Sequence, residues 1–126
     1  MIDHLGLDVS DLDRSQRFYE AALAPLGFAV VAEVTNEGGG RVVMFGIGGV
    51  PEFVIAEDRA PGVGAHVAFR AEDRKQVDAF HAAALAAGGR DNGAPGLRSQ
   101  YGADYYAAFV LDPDGMNIEA VCHQAD

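Results

Sequence analysis

His4-Leu-Gly-Leu-Asp-Val9 leads to Phe18-Tyr-Glu-Ala-Ala-Leu-Ala-Pro-Leu-Gly27, and His66-Val-Ala-Phe-Arg-Ala71 leads to Phe80-His-Ala-Ala-Ala-Leu-Ala-Ala-Gly-Gly89. The offset is 62 residues at His4/His66, Asp11/Asp73, Phe18/Phe80, Leu23/Leu85 and Gly27/Gly89. Of the 24 positions 4–27, eight recur in the second copy, and four of these fall in an Ala/Leu run that composition alone can match. The His, Phe and Gly matches therefore carry the reading. A duplicated unit headed by a metal-capable side chain points to one site shared between two halves.

Residues 2–9 alternate: Leu5, Leu7 and Val9 point one way, His4, Gly6 and Asp8 the other. That is the period of a strand covered on one face. Ser10 and Asp13 stand at capping-box spacing before a helix carrying Leu12, Ser15, Tyr19, Ala22, Leu23 and Leu26, stopped by Gly27. Strands are expected at 29–34, 41–45 and 52–56, divided by Gly-rich turns at 36–40 and 48–51.

The second half repeats this βαβββ order. His66, Ala68 and Arg70 oppose Val67, Phe69 and Ala71, and Asp73 caps a helix with Val77, Phe80, His81, Ala84, Leu85 and Gly88 on its apolar side. Residues 90–104 are expected to hold one short strand within a loop, followed by a hairpin of 105–111 and Asn117–Cys122 about the turn Asp112-Pro-Asp-Gly115. Each half is too small to bury much core alone. The fold class is thus α+β: one domain, 1–126, of two pseudo-symmetric modules (about 1–58 and 64–123) joined by a linker at 57–65, their mixed sheets forming a cup.

Nineteen acidic against nine basic residues give a net charge of −10, which argues against a nucleic-acid partner. No apolar run approaches the roughly 18 residues of a membrane span. Met1-Ile-Asp-His4 carries no signal-peptide pattern, so a cytoplasmic location is expected. Cys122 is the only cysteine, which excludes an internal disulfide, and it reads as a small buried hydrophobe.

Strand parity selects the candidate chemistry. In each half the apolar face of the first strand must meet the helix, so His4 and His66 lie on the opposite face. If the two sheets curve together, both look into one cup. Glu119 points opposite to Ile118 and Ala120, and Glu52 stands similarly before Phe53. Two imidazoles with one or two carboxylates suit Fe, Mn, Ni, Co or Zn as a divalent ion. With one carboxylate the set is an open facial triad; with two it is an octahedral site with positions left for water or substrate. Such an ion polarises a carbonyl or binds dioxygen. Strict repetition points to Glu57, of the opposite parity, while the Pro-Glu-Phe-Val context favours Glu52. Arg70 shares the face of His66 and is placed to pair Asp8 or hold an anionic substrate. His81 reads as helix packing, His123 as solvated, and Gly38–Gly40 as a hairpin tip without the context of a phosphate cradle.

Three segments resemble the vicinal oxygen chelate superfamily, which includes glyoxalase I, extradiol dioxygenases, fosfomycin-resistance enzymes and bleomycin-binding proteins. They are Asp3–Asp11 with Phe18–Phe28, His66-Val-Ala-Phe-Arg70, and Phe109-Val-Leu-Asp-Pro-Asp-Gly-Met-Asn-Ile-Glu-Ala-Val121. The Asp-Pro-Asp-Gly-x-Asn-Ile-Glu run is the specific one. The resemblance implies paired βαβββ modules forming a cup, a divalent metal in it and commonly a homodimer. It places ligands on His4, His66 and Glu119, with Glu52 as a weaker match. Relatives that share the Ala-Pro-Leu-Gly helix often carry Pro-His-Tyr-His-Pro-Asp-Tyr-Tyr where this chain reads Ser99-Gln-Tyr-Gly-Ala-Asp-Tyr-Tyr106. Both histidines of that stretch are missing, and Tyr101, Asp104 and Tyr105 are the polar groups left there to meet a substrate.

The expectation is a metal-dependent lyase, isomerase or dioxygenase acting on a small molecule. His4, His66, Glu119 and Glu52 would be ligands, and Glu119 and Glu52 the catalytic carboxylates. The competing reading is a metal-free protein that binds a small molecule such as an antibiotic.

Overall fold

The computed structural model describes residues 3–35, 40–57 and 66–126. The expected linker residues 58–65 and the hairpin tip at 36–39 lie outside the described residues. The order is β1 (Leu5–Val9), α1 (Leu12–Leu23), β2 (Ala29–Thr35), β3 (Arg41–Ile47), β4 (Val50–Glu57), β5 (His66–Arg70), α2 (Arg74–Ala86), β6 (Arg90–Leu97), β7 (Tyr106–Leu111) and β8 (Asn117–Cys122). Two four-stranded sheets result, ordered β1-β4-β3-β2 and β5-β8-β7-β6. In each, the first strand pairs in parallel with the last, and the remaining pairs are antiparallel. The duplication in sequence is therefore a duplication in topology, a two-module α+β fold.

The helix signals hold with one correction. Asp11, not Ser10, caps α1: its carboxylate accepts from Arg14 N at 3.1 Å, and Asp73 caps α2 by accepting from Gln76 N at 2.8 Å. The two caps stand 62 residues apart, so the repeat located the cap better than the capping-box spacing. Ser10 instead gives its backbone N–H and hydroxyl to the Asp114 carboxylate in the β7–β8 turn. The helix exits do not keep the offset. Gly27 takes the left-handed conformation at φ 90°, but in the second copy Gly88 does so at φ 99°. A Cβ on Gly89 would lie 2.7 Å from the Phe18 ring and 2.9 Å from Ala84 O, so Gly89 serves close approach between the modules.

β6 corrects the expectation of a short strand in a loop. Gly93, Pro95 and Gly96 read as breakers, yet β6 runs eight residues along the edge of its sheet. Edge position and two shifts of register, at Asp91/Gly93 and Gly93/Gly96, accommodate them. The Arg98 guanidinium donates to Ala94 O and Gly96 O and lies over the Phe109 ring, holding the irregular strand in place.

One hydrophobic core joins the modules. It takes Leu7, Val9, Phe45, Phe53 and Ile55 from the first sheet and Val67, Phe69, Val110, Ile118 and Ala120 from the second, with α1 and α2 packed together between them. Phe53 and Phe69 meet edge to face across the junction at 5.1 Å, and Phe28 meets Phe69 at 5.4 Å. Tyr19 of α1, fully buried, donates to Asp112 Oδ2 in the other module at 2.6 Å. Asp112 Oδ1 accepts from Asp114 N and Met116 N, which folds the Asp-Pro-Asp-Gly turn around the carboxylate. Because the inner faces share this core, the open faces carrying His4 and His66 are the outer faces of the two sheets. Cys122 is buried, as its sequence context predicts. No helix among the described residues is long and apolar enough to cross a membrane.

Candidate active site

β5 and β8 are neighbours in parallel register, with His66 level with Asn117 and Ala68 level with Glu119. Parity then puts His66 and Glu119 on the same open face. His66 Nδ1 lies 2.9 Å from the Asn117 carbonyl and Nε2 lies 3.0 Å from Glu119 Oε1. A carbonyl only accepts, so Nδ1 carries the proton and donates. With Nδ1 so engaged, the 3.0 Å contact of Nε2 with Glu119 Oε1 is made through one proton carried by either partner, and deprotonated Nε2 is the ring's ligand position.

Glu119 is only 2% exposed, unlike an ordinary strand carboxylate. Its second oxygen, Oε2, accepts from the Tyr105 hydroxyl. Burial, and then the hydrogen bond to Glu119, push the Tyr105 phenol up to about 12, so the phenol is a standing donor at neutral pH. Phe109, level with Glu119 on β7, stacks on the His66 ring at 6.4 Å. These residues, with Tyr101, line a pocket of about 280 Å³.

His4 precedes β1 and lines a different pocket with Asp3, Met44, Val50, Pro51 and Val54. Its Nδ1 donates to Asp3 Oδ1 at 2.8 Å, so its Nε2 is also left as the presented nitrogen. The two pseudo-equivalent histidines thus share a tautomer-fixing arrangement while lying on separate faces. Among the described residues, no three His, Cys, Asp or Glu side chains gather closely enough to hold a metal ion.

Glu52 does not follow the parity read from sequence. β3 and β4 are in register at Phe45/Phe53, but the next pair is Gly46/Pro51, so Glu52 is the extra residue of a bulge. Gly46 permits the close approach there: a Cβ on it would lie 1.7 Å from Val50 O. Pro51 consequently lines the pocket of His4, while Glu52 lines one at the module junction with Leu5, Phe28, Phe53, Phe69 and Arg70. The position across from Gly6, equivalent to Glu119 across from Ala68, is Val54. Glu57 is level with Val9 and lies 3.9 Å from the Arg41 guanidinium.

Arg70 is exposed at the end of β5 and lines the junction pocket with Glu52; no ion pair joins it to Asp8 among the described residues. Tyr101 is 64% exposed at the mouth of the His66 pocket, and Asp104 is exposed on the turn before Tyr105. His81 pairs Asp91 at 2.9 Å, tying α2 to β6, and His123 meets the Tyr105 ring edge-on. Sequence reasoning missed three contributors: the Asn117 carbonyl, Phe109, and the direct Tyr105–Glu119 bond. The hairpin register about Asp112–Gly115 was the signal for Phe109, since it sets Phe109 level with Glu119.

Paired βαβββ modules, with a histidine and a buried carboxylate on an open sheet face, define the two-module class of glyoxalase-like folds. The Glyoxalase/Bleomycin resistance protein/Dioxygenase superfamily profile matches residues 1–120, and the chain belongs to that superfamily. A glyoxalase/bleomycin resistance protein from Albidiferax ferrireducens T118 is similar at 33% identity over 97% of this chain and 98% of that one, with a TM-score of 0.78. Glyoxalase I from Zea mays shares the fold at 24% identity and a TM-score of 0.70; the match covers 99% of this chain and 45% of that chain. The genomically encoded fosfomycin resistance protein FosX from Listeria monocytogenes shares it at 17% identity over 97% and 90% of the two chains, with a TM-score of 0.68. No curated protein matches the sequence.

Proposed function

We propose that the chain is a divalent-metal-dependent enzyme acting on a small molecule, with His66 and Glu119 as ligands and His4 supplied by a second copy in a homodimer. The observation that carries this is the pair of histidines, each with Nδ1 given to an acceptor so that Nε2 is the nitrogen left for an ion: that of His66 faces Glu119 Oε1 in its pocket, and that of His4 belongs to a separate pocket. A ring nitrogen engaged this way fixes the tautomer for ligation and raises the basicity of the other nitrogen. The donor set fits: Nε2 of His66 and Oε1 of Glu119 lie 3.0 Å apart. That spacing would let both atoms hold one divalent ion. Fe, Mn, Ni, Co and Zn all accept such nitrogen and oxygen ligands.

A second copy is required because the open faces of one chain are outer faces of a shared core. Exposed Ile47 and Val50 beside the His4 pocket, and Leu97 and Tyr101 on the second module, supply apolar surface for that contact. With Glu52 turned to the module junction, Glu119 is the carboxylate ligand and Glu52 is not given the fourth position.

The ion, when bound, acts as a Lewis acid on a substrate carbonyl or as a site for dioxygen. The chain's own residues do the rest. Glu119 is held at Oε2 by the Tyr105 hydroxyl and offers Oε1 beside His66, Phe109 and Tyr101 wall the pocket, and Tyr101 and Asp104 meet the substrate at its mouth. Isomerase or lyase chemistry beside a carbonyl, or oxygenation, are the reactions this supports.

Metal analysis of the purified protein tests the reading. One divalent ion per chain is expected, with its loss in His66→Ala and Glu119→Ala. A second reading, a metal-free small-molecule binder, is favoured by the three aromatic rings Tyr101, Tyr105 and Phe109 on the pocket and by the absent histidines of the 99–106 stretch. Absence of any stoichiometric ion, with ligand binding unchanged in His66→Ala, would establish it instead.

A further inference from the structure

The geometry points to Tyr105 as a positioning residue that holds Glu119 to one-oxygen ligation, an inference that rests on the metal reading above. Glu119 has two oxygens with distinct surroundings. Oε1 faces His66 Nε2 at 3.0 Å, while Oε2 accepts the Tyr105 hydroxyl. Only Oε1 is therefore left beside the presented nitrogen.

Tyr105 is itself held. It stands just before β7, its ring 5.3 Å from Tyr101 and 5.2 Å from His123. The other side of the site is closed by Phe109 stacked on His66. A chain of contacts thus runs from Tyr105 through Glu119 and His66 to the Asn117 carbonyl, fixing both ligands from behind. A carboxylate released at Oε2 is free to swing or to offer both oxygens, and the number of positions left for substrate changes with it. Tyr105 is in this view part of the support of the site, not a wall that touches substrate.

The test is titration of apo protein with Co(II), followed by its visible absorption, whose intensity responds to coordination number. Tyr105→Phe keeps the ring and removes the donor. Its Co(II) dissociation constant is expected to rise about 10- to 100-fold, the usual effect of removing a residue that supports a ligand from behind, with an altered absorption band. Tyr106→Phe, which removes a hydroxyl given to Asp78 away from the site, is expected to leave both unchanged. Tyr105→Gln, which keeps a donor, is expected to bind Co(II) more tightly than Tyr105→Leu, which keeps none. Unchanged affinity and band in Tyr105→Phe, or equal binding by the Gln and Leu variants, overturns the clamp and leaves the metal reading standing. Wild-type protein that gives no Co(II) band overturns both.

Discussion

Replacing Tyr19 with Phe removes one oxygen from the middle of the molecule and leaves the packing in place. The ring sits fully buried against Phe18 at 4.9 Å and Phe53 at 5.0 Å, contacts that phenylalanine keeps. What is lost is the 2.6 Å bond to Asp112 Oδ2, the buried polar link between the two modules. A hydrogen bond to a charged group is worth about 1.5–3 kcal/mol. Asp112 keeps the two backbone donors on Oδ1, so its turn stays folded while Oδ2 goes unpaired. At roughly 4 °C per kcal/mol for a chain of this size, the midpoint should fall by about 6–12 °C.

The pH dependence adds a second handle. Burial first, and then the charge and hydrogen bond of Asp112, push the Tyr19 phenol well above its usual value of 10. A raised folded value stabilises below pH 10, and that contribution is lost as pH rises toward the folded value, because the unfolded phenol ionises first. The gap between wild type and Tyr19→Phe should therefore narrow above pH 10. Urea unfolding at pH 8 and at pH 10.5, followed by circular dichroism, measures both effects. A loss below about 0.5 kcal/mol at pH 8, half the usual value of even a neutral bond, would refute the assigned role of the link.

Other predictions concern the same junction and the site. Phe53→Ala should cost about 3–5 kcal/mol in denaturant unfolding, since Phe53 is buried against Tyr19, Phe45 and Phe69. A cost below 1.5 kcal/mol, roughly half of the lower bound, would mean that the junction is not packed as described. Gly89→Ala should destabilise by about 1–3 kcal/mol because its Cβ meets the Phe18 ring and Ala84 O; a neutral thermal melt would contradict this. Glu52→Gln should leave metal content unchanged, since the bulge carries Glu52 to the module junction. A fall matching that of Glu119→Gln would restore Glu52 as a ligand.

How far the sequence reached differs from residue to residue. The 62-residue repeat gave both modules, and it carries both helix caps, Asp11 and Asp73, although the capping-box spacing had pointed to Ser10 for the first; a cap is a local bond that recurs with its unit. Parity put His66 and Glu119 on one face because β5 and β8 are regular over that span. Glu52 falls where parity fails: a bulge inserts one residue, shifts everything beyond it by one, and leaves only Gly46 as a trace. β6 was underestimated because breakers tolerated at a sheet edge look the same in sequence as breakers in a loop. The Tyr19–Asp112 link joins residues 93 positions apart, and no local pattern encodes such a pair. The departure of Tyr19 from its counterpart His81 was its only mark.

The most direct test of the account is metal content after two half-defective copies are refolded together. His4→Ala and His66→Ala protein should each hold little metal alone. If His66 and Glu119 of one chain are completed by His4 of another, each mixed dimer regains one intact site. By the symmetry of random pairing, the mixture should then carry about a quarter of the wild-type metal. A mixture holding no more metal than either variant alone would contradict a site built between two copies.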